Sequence, residues 1–162
     1  MQLTEKQIKI IRESHQRILP EVERISDRFY ADLFGRVPEA RGLFRGDVSE
    51  QGMRFMSAIG VIVENLDSPE AMDREVEKLV AGHAAFNIKP SWFREMQESL
   101  IDTFAHALGA RFTNEAELAW RAAFQQICDE MEQRAGKRSE TGAQVASGAR
   151  SSQTVSGGEI SR

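Results

Sequence analysis

The sequence predicts an all-α fold of about six helices plus one short helix. Three observations carry that expectation. Apolar residues recur at i, i+3, i+4 and i+7 in successive segments between Thr4 and Met131, the period of helices that each bury one face. No stretch alternates apolar and polar residues for the length of a strand. Proline, glycine and capping residues mark short connections between the periodic segments. Unequal helix lengths and one short irregular helix fit a globular helical fold better than an even four-helix bundle.

Each element follows from its residues. Thr4-Glu-Lys-Gln7 reads as a capping box, and Ile8, Ile11, His15 and Ile18 follow it at helical spacing. Pro20 suits the first turn of a second helix, where its missing N–H costs nothing. That helix carries Val22, Ile25, Phe29 and Leu33 on one stripe, with Gly35 as its expected end. Pro38 opens a short turn running to Phe44, and Gly46-Asp47 forms a loop. A long helix then places Gln51, Phe55, Ala58, Ile62 and Leu66 one turn apart. Ser68-Pro69 supplies a cap and a first helical residue for a segment bearing Val76, Leu79, Val80 and His83. Asn87 and Pro90 mark a break. Residues 91–108 carry Ile101, Phe104, Ala105 and Leu108 inward, and Gly109 ends that helix. Asn114-Glu-Ala-Glu117 reads as a second capping box before the stripe Trp120, Phe124, Ile127 and Met131.

Composition bounds the function. The 162 residues carry 21 basic and 25 acidic side chains, a net charge of −4, which argues against nucleic acid as the main partner. An apolar fraction of 41% beside 28% charged residues is that of a soluble globular chain. No run approaches the ~18 apolar residues that span a bilayer. The opening Met1-Gln-Leu-Thr-Glu-Lys lacks the basic and apolar segments of a secretion signal, so a cytoplasmic location is expected. Cys128, the sole cysteine, excludes an internal disulfide and a cysteine-based zinc cluster. Composition shifts at Gly136. Residues 136–162 hold 6 Ser, 5 Gly and no aromatic, too little apolar surface to offset the entropy of ordering. The expected organisation is one domain over 1–135 and a disordered tail over 136–162.

Three histidines are the first candidates for chemistry. His106 lies off its helix's apolar stripe and reads as exposed and inert. His15 and His83 lie on theirs, and a lone histidine in such a place is more often a hydrogen-bonded core residue than a ligand. Taken singly, Tyr30 and Phe44 also read as core, and Gln51 as a solvated residue near a helix start.

The company that His83 keeps changes that reading. Phe29-Tyr30-Ala-Asp-Leu-Phe34, then Pro38-Glu39, Leu43-Phe44, Gln51 on a helix and His83 after a gap of 32 occur in this order. Leu3-Thr4 opens the first helix, Asn65-Leu66 closes the long one, and Trp120 lies in the last. Over residues 3–135 the ordered set resembles the globin family, in particular single-domain bacterial haemoglobins and the globin domain of flavohaemoglobins. The resemblance implies a globin fold. It implies that His83 is the proximal iron ligand, that Phe44 packs flat on the haem, and that Tyr30, Gln51 and Phe55 stand on the distal side.

The cofactor so implied is haem b, iron protoporphyrin IX, held without covalent attachment because no Cys-x-x-Cys-His is present. Neutral imidazole suits haem iron, and a single histidine ligand leaves one position for a diatomic gas: oxygen, CO or NO. The haem disc needs apolar walls, which Phe44, Phe55, Leu79, Phe86, Ile88 and Phe93 are placed to supply. A phenol at Tyr30 and an amide at Gln51 can both donate hydrogen bonds to the gas. The leading expectation is reversible oxygen binding for transport, storage or buffering. The alternatives are an NO dioxygenase working with a separate reductase, a gas sensor acting through a partner protein, and a globin-shaped domain without haem.

The chain departs from the flavohaemoglobin pattern in several places. That family pairs its proximal histidine with a tyrosine and a glutamate, which raises imidazole basicity. Counting places Phe93 and Ala135 there, and neither side chain can accept a hydrogen bond. The expectation is an ordinary imidazole whose second nitrogen meets a backbone carbonyl, an arrangement less suited to peroxidase-like chemistry. The turn between Phe44 and Gln51 is short for the family, so a shifted Gln51 is expected. Phe55 is bulkier than the usual Leu or Val and is expected to narrow the distal pocket. No G-x-G-x-x-G for a dinucleotide is present, hence the separate reductase in the enzyme reading.

Overall fold

A computed structural model describes residues 3–84, 86 and 88–150, with side chains through Lys137. Among these residues every regular element is helical. In chain order they are α1 (Glu5–Ile18), a 3-10 turn (Leu19–Glu21), α2 (Val22–Arg36), a 3-10 segment (Pro38–Leu43), α3 (Val48–Glu64), α4 (Pro69–His83), α5 (Pro90–Leu108), a 3-10 turn (Gly109–Arg111) and α6 (Asn114–Arg150). The all-α expectation of six helices plus a short one is met.

Local signals account for most boundaries. The Thr4 hydroxyl accepts from the Gln7 amide at 3.2 Å, and the Thr4 amide donates to Gln7 Oε1 at 2.8 Å, closing the capping box. The Asp47 carboxylate caps α3 through the Ser49 amide at 2.9 Å. Gly109 ends α5 at φ 53°, a left-handed value that glycine adopts without a Cβ clash.

Four local expectations need correction. Gly35 lies inside α2, which ends at Arg36 because Val37 precedes Pro38 and is pushed out of the helical region to φ −130°, ψ 79°. Ser68 stands at the N-cap of α4 but makes no side-chain cap bond. The cap of α6 is Thr113, whose hydroxyl accepts from the Ala116 amide at 3.2 Å. Glu117 turns instead to Arg121 at 2.9 Å. Finally, α6 runs through Gly136 to Arg150, and Met131 is its last buried side chain among those described. The change of composition at Gly136 therefore marks the end of the core and not the end of the helix. Residues 151–162, the rest of the expected tail, lie outside the described residues.

The main core lies where α2 crosses α3 and α5, with α1 and α6 closing it from the other side. Phe29, Phe104, Ile11, Ile18 and Leu100 are fully buried there, each contributing about 1.5–3 kcal/mol of transfer free energy. A smaller cluster of Val76, Val80, Ile127 and Met131 joins α4 to α6. The helices α2 and α3 meet at a glycine: a Cβ on Gly52 would lie 2.0 Å from Ser26 Oγ and 3.2 Å from Tyr30 Cε2. This close crossing brings the Tyr30 side of α2 up to the first turns of α3.

One buried polar link ties α1 to α6. Trp120 Nε1 donates to Ser14 Oγ at 2.9 Å, and the Ser14 hydroxyl has the carbonyls of Ile10 and Ile11 within 3.0 Å. Ser14→Ala is expected to lower stability by about 1–3 kcal/mol, because the indole N–H stays buried without an acceptor. Urea unfolding measures this, and the loss should shrink when Trp120 is already phenylalanine.

Candidate functional site

A cavity of about 400 Å³ opens between α2, the Pro38–Leu43 segment, α3, α4 and the start of α5. Its lining includes Tyr30, Phe44, Gln51, Phe55, Leu79, His83, Phe86, Ile88 and Phe93. Every site residue proposed from the sequence therefore faces one space, although they span more than sixty positions of chain.

His83 is the last residue of α4 and is half-buried. Its Nδ1 stands 2.7 Å from the Leu79 carbonyl oxygen. Only a protonated nitrogen pairs with a carbonyl, so Nδ1–H is the donor and Nε2 of the neutral ring keeps its lone pair. The expected contact of the second nitrogen with backbone is thus present, one helical turn back. The Phe93 ring lies beside the imidazole, 6.1 Å between centroids at 43°. Ala135 is exposed on α6 and is not a lining residue. Among the described residues no three His, Cys, Asp or Glu side chains gather as a metal site. The donor set is one imidazole in an apolar cavity, which suits a metal whose other ligands arrive with a prosthetic group.

The opposite wall is aromatic. Phe55 stacks on Phe29 at 4.7 Å and 9°. Phe44 meets Tyr30 edge-on at 5.2 Å and Phe34 at 5.3 Å. Such rings fix one another by packing and by quadrupole geometry. Tyr30 is 5% exposed, and among the described residues its hydroxyl has no hydrogen-bond partner. Burial pushes its pKa up to about 12, since the phenolate would be poorly solvated. The group is therefore a protonated donor at neutral pH. Gln51, in the first turn of α3, is exposed and also lines the cavity. It stands between solvent and the aromatic wall.

The stripe expected to bury α3, through Gln51, Phe55, Ala58, Ile62 and Leu66, is not the one that enters the core, and Leu66 lies beyond the helix end at Glu64. Gln51, Phe55 and Ala58 look into the cavity. The residues that enter the core are Gly52, Met56, Ile59 and Val63, about 100° around the helix. Other lining residues escaped the sequence reading. Phe29, Leu33, Val37, Ala40 and Leu43 come from α2 and the turn after it, and Trp92 and Met96 from α5. The α2 stripe held a signal for Phe29 and Leu33, which a core assignment absorbed. Arg45, Arg54 and Lys78 also line the cavity and carry positive charge to it. Arg54 follows Gln51 by three positions, a spacing that itself places both on one side of α3.

His15 and His106 stay outside the site. His15 is buried on α1, its Cε1 3.6 Å from the point where a Gly60 Cβ would lie. Desolvation lowers its pKa, opposed by the charge of Glu64. His106 is exposed on α5, as expected.

Comparison with known proteins follows the same lines. A family model described as Globin matches residues 27–131. A flavohemoprotein of Vibrio cholerae is 26% identical over 125 residues, covering 75% of this chain and 32% of that protein. A flavohemoprotein of Halalkalibacterium halodurans is 28% identical over 110 residues, covering 66% and 27%. An uncharacterized globin-like protein of Aquifex aeolicus is 25% identical over 122 residues, covering 75% and 86%. The chain thus spans about a third or less of the flavohemoproteins and most of the globin-like protein.

Proposed function

This chain belongs to the globin family, and we propose that it binds oxygen reversibly, with CO and NO as further ligands, at a haem b held by His83. It is a haem-binding globin; the identity of the gas, its use in transport, storage or buffering, and a cytoplasmic setting are our reading. The observation that carries this reading is the 2.7 Å contact from His83 Nδ1 to the Leu79 carbonyl, which leaves Nε2 as the coordinating nitrogen of a residue that lines a cavity walled by aromatic rings. Ferrous haem ligated by one imidazole supplies an open position for a diatomic gas.

The chain's residues divide the remaining work. His83 would hold the metal through a ring whose tautomer the Leu79 carbonyl fixes. Leu79, Phe86, Ile88 and Phe93 support the proximal wall, and Phe44 and Phe55 the distal one. Arg45, Arg54 and Lys78 are suited to the carboxylates of a porphyrin. The unpartnered Tyr30 hydroxyl would donate a hydrogen bond to a bound gas, with Gln51 as a second donor from the solvent side. Absorption spectra of the oxidised, reduced and CO-treated protein test this reading. A colourless chain that stays colourless with added haemin overturns it.

Tyr30→Phe is expected to speed oxygen dissociation about tenfold. A hydrogen bond to a partly charged acceptor is worth about 1.5–3 kcal/mol, and each ~1.4 kcal/mol is one decade. Stopped-flow displacement of oxygen by CO gives the rate directly, and an unchanged rate removes Tyr30 from the site.

The unpartnered Tyr30 hydroxyl also favours a second reading, NO dioxygenation, in which oxygen and NO combine to nitrate and a separate reductase returns the electron. Phe93 beside His83 opposes it, since that ring cannot raise imidazole basicity as an acidic partner would. Nitrate formed over many turnovers with a reductant favours the enzyme; a single stoichiometric round favours the carrier.

A further inference from the structure

The cavity has one wall on the Pro38–Leu43 segment, through Ala40 and Leu43, and another at the start of α5, through Ile88 and Trp92. Fifty positions of chain separate these walls. The segments that carry them are joined by Lys89, whose ammonium lies 3.0 Å from Glu39 Oε2. The same ammonium sits 5.6 Å from the centroid of the Trp92 ring, within reach of its negative face. The Trp92 amide in turn donates to the Lys89 carbonyl at 2.9 Å. Lys89 therefore holds a lining residue of one wall while pairing with the helical turn that carries the other.

We propose that the Glu39–Lys89 pair, with Trp92 beneath it, is a cross-brace that slows loss of the cofactor by keeping the two walls together. This inference rests on the haem reading above and names a device that retains the cofactor in that same site. The geometry explains why the brace lies here. Lys89 immediately precedes α5, and Pro90 at the first helical position fixes where that helix begins. Ile88 and Trp92 flank Lys89 on the cavity side, so a shift of Lys89 moves both. Glu39 and Ala40 are adjacent in the opposite turn, so the pair pulls Ala40 toward Ile88. Both charged side chains are more than 60% exposed. Water and salt can therefore reach the pair, which makes it a weak and reversible fastening, sensitive to ionic strength.

The test uses the full chain reconstituted with haemin, with transfer of haem to excess apomyoglobin followed by absorption. Lys89→Ala and Glu39→Ala are each expected to speed transfer about two- to fivefold, the range of an exposed ion pair. The double exchange Glu39→Lys with Lys89→Glu should restore most of the lost retention, and added salt should speed transfer in the parent chain more than in either single variant. Amide hydrogen exchange in the haem-free chain gives an independent readout, with faster exchange at Trp92 and Phe93 in Lys89→Ala. Unchanged transfer rates in both single variants, with the Soret band intact, overturn the brace and leave the haem reading standing. A parent chain that takes up no haemin overturns both.

Discussion

Replacing His83 by alanine is expected to abolish stable haem binding, leaving a folded chain without a Soret band. Among the described residues His83 is the one imidazole lining the cavity, and its Nδ1 contact to Leu79 leaves the other ring nitrogen for a ligand bond. Removing it leaves haem held by apolar contact and by charges at the rim. A loss of two decades or more in affinity corresponds to about 3 kcal/mol, ample for the cofactor to dissociate on purification. His83 is half-buried at the end of α4, so the helical circular dichroism should stay near that of the parent. Added imidazole should fill the gap and return part of the absorption, because the walls remain. A Soret band unchanged in position and intensity would remove His83 as the ligand.

The second large effect is expected from Phe29→Ala. Phe29 is 1% exposed, stacks on Phe55 at 4.7 Å and meets Tyr30 edge-on at 5.0 Å. Truncation removes buried area and leaves a hole, a combination that costs about 3–5 kcal/mol. Against a total stability of about 5–15 kcal/mol for a domain of this kind, the change should be plain in a denaturant melt. The hole adjoins the cavity, so Phe55 loses the ring that holds it and can lean away from the distal space. CO recombination after photolysis should accelerate if Phe55 narrows that space. Phe29→Leu refills most of the volume and should recover more than half of the stability. A melt displaced by less than about 1 kcal/mol would mean that the surrounding side chains collapse into the hole.

Local patterning made the elements readable. A helix's period, its caps and its prolines act within four residues of one another, so Thr4 with Gln7 and Gly109 after Leu108 were legible one segment at a time. The errors at Gly35 and Asn114 are errors of one or two residues, where neighbouring candidates compete for one cap. The length of α6 beyond Gly136 was not legible. Composition reports the loss of a core, and a helix can outlast its core when its own backbone bonds continue. The site was legible as a set of separations, because an order of residue types along the chain survives without knowledge of how helices pack.

What each face looks at is a property of packing between helices. On α3 apolar residues recur at helical spacing along two neighbouring stripes, one through Phe55 and one through Met56, and either could be the buried side. The crossing of α2 over Gly52 sends Met56 into the core and leaves Phe55 beside the cavity. Likewise the chain shows that Tyr30 is a tyrosine on an apolar stripe, but an unpartnered hydroxyl follows from the rings around it. Glu39 and Lys89 are two ordinary surface charges until the chain brings them to 3.0 Å. A hydrogen-bond tautomer, an empty space and a pairing across fifty residues each depend on where several helices meet, and short-range periodicity carries no information about that distance.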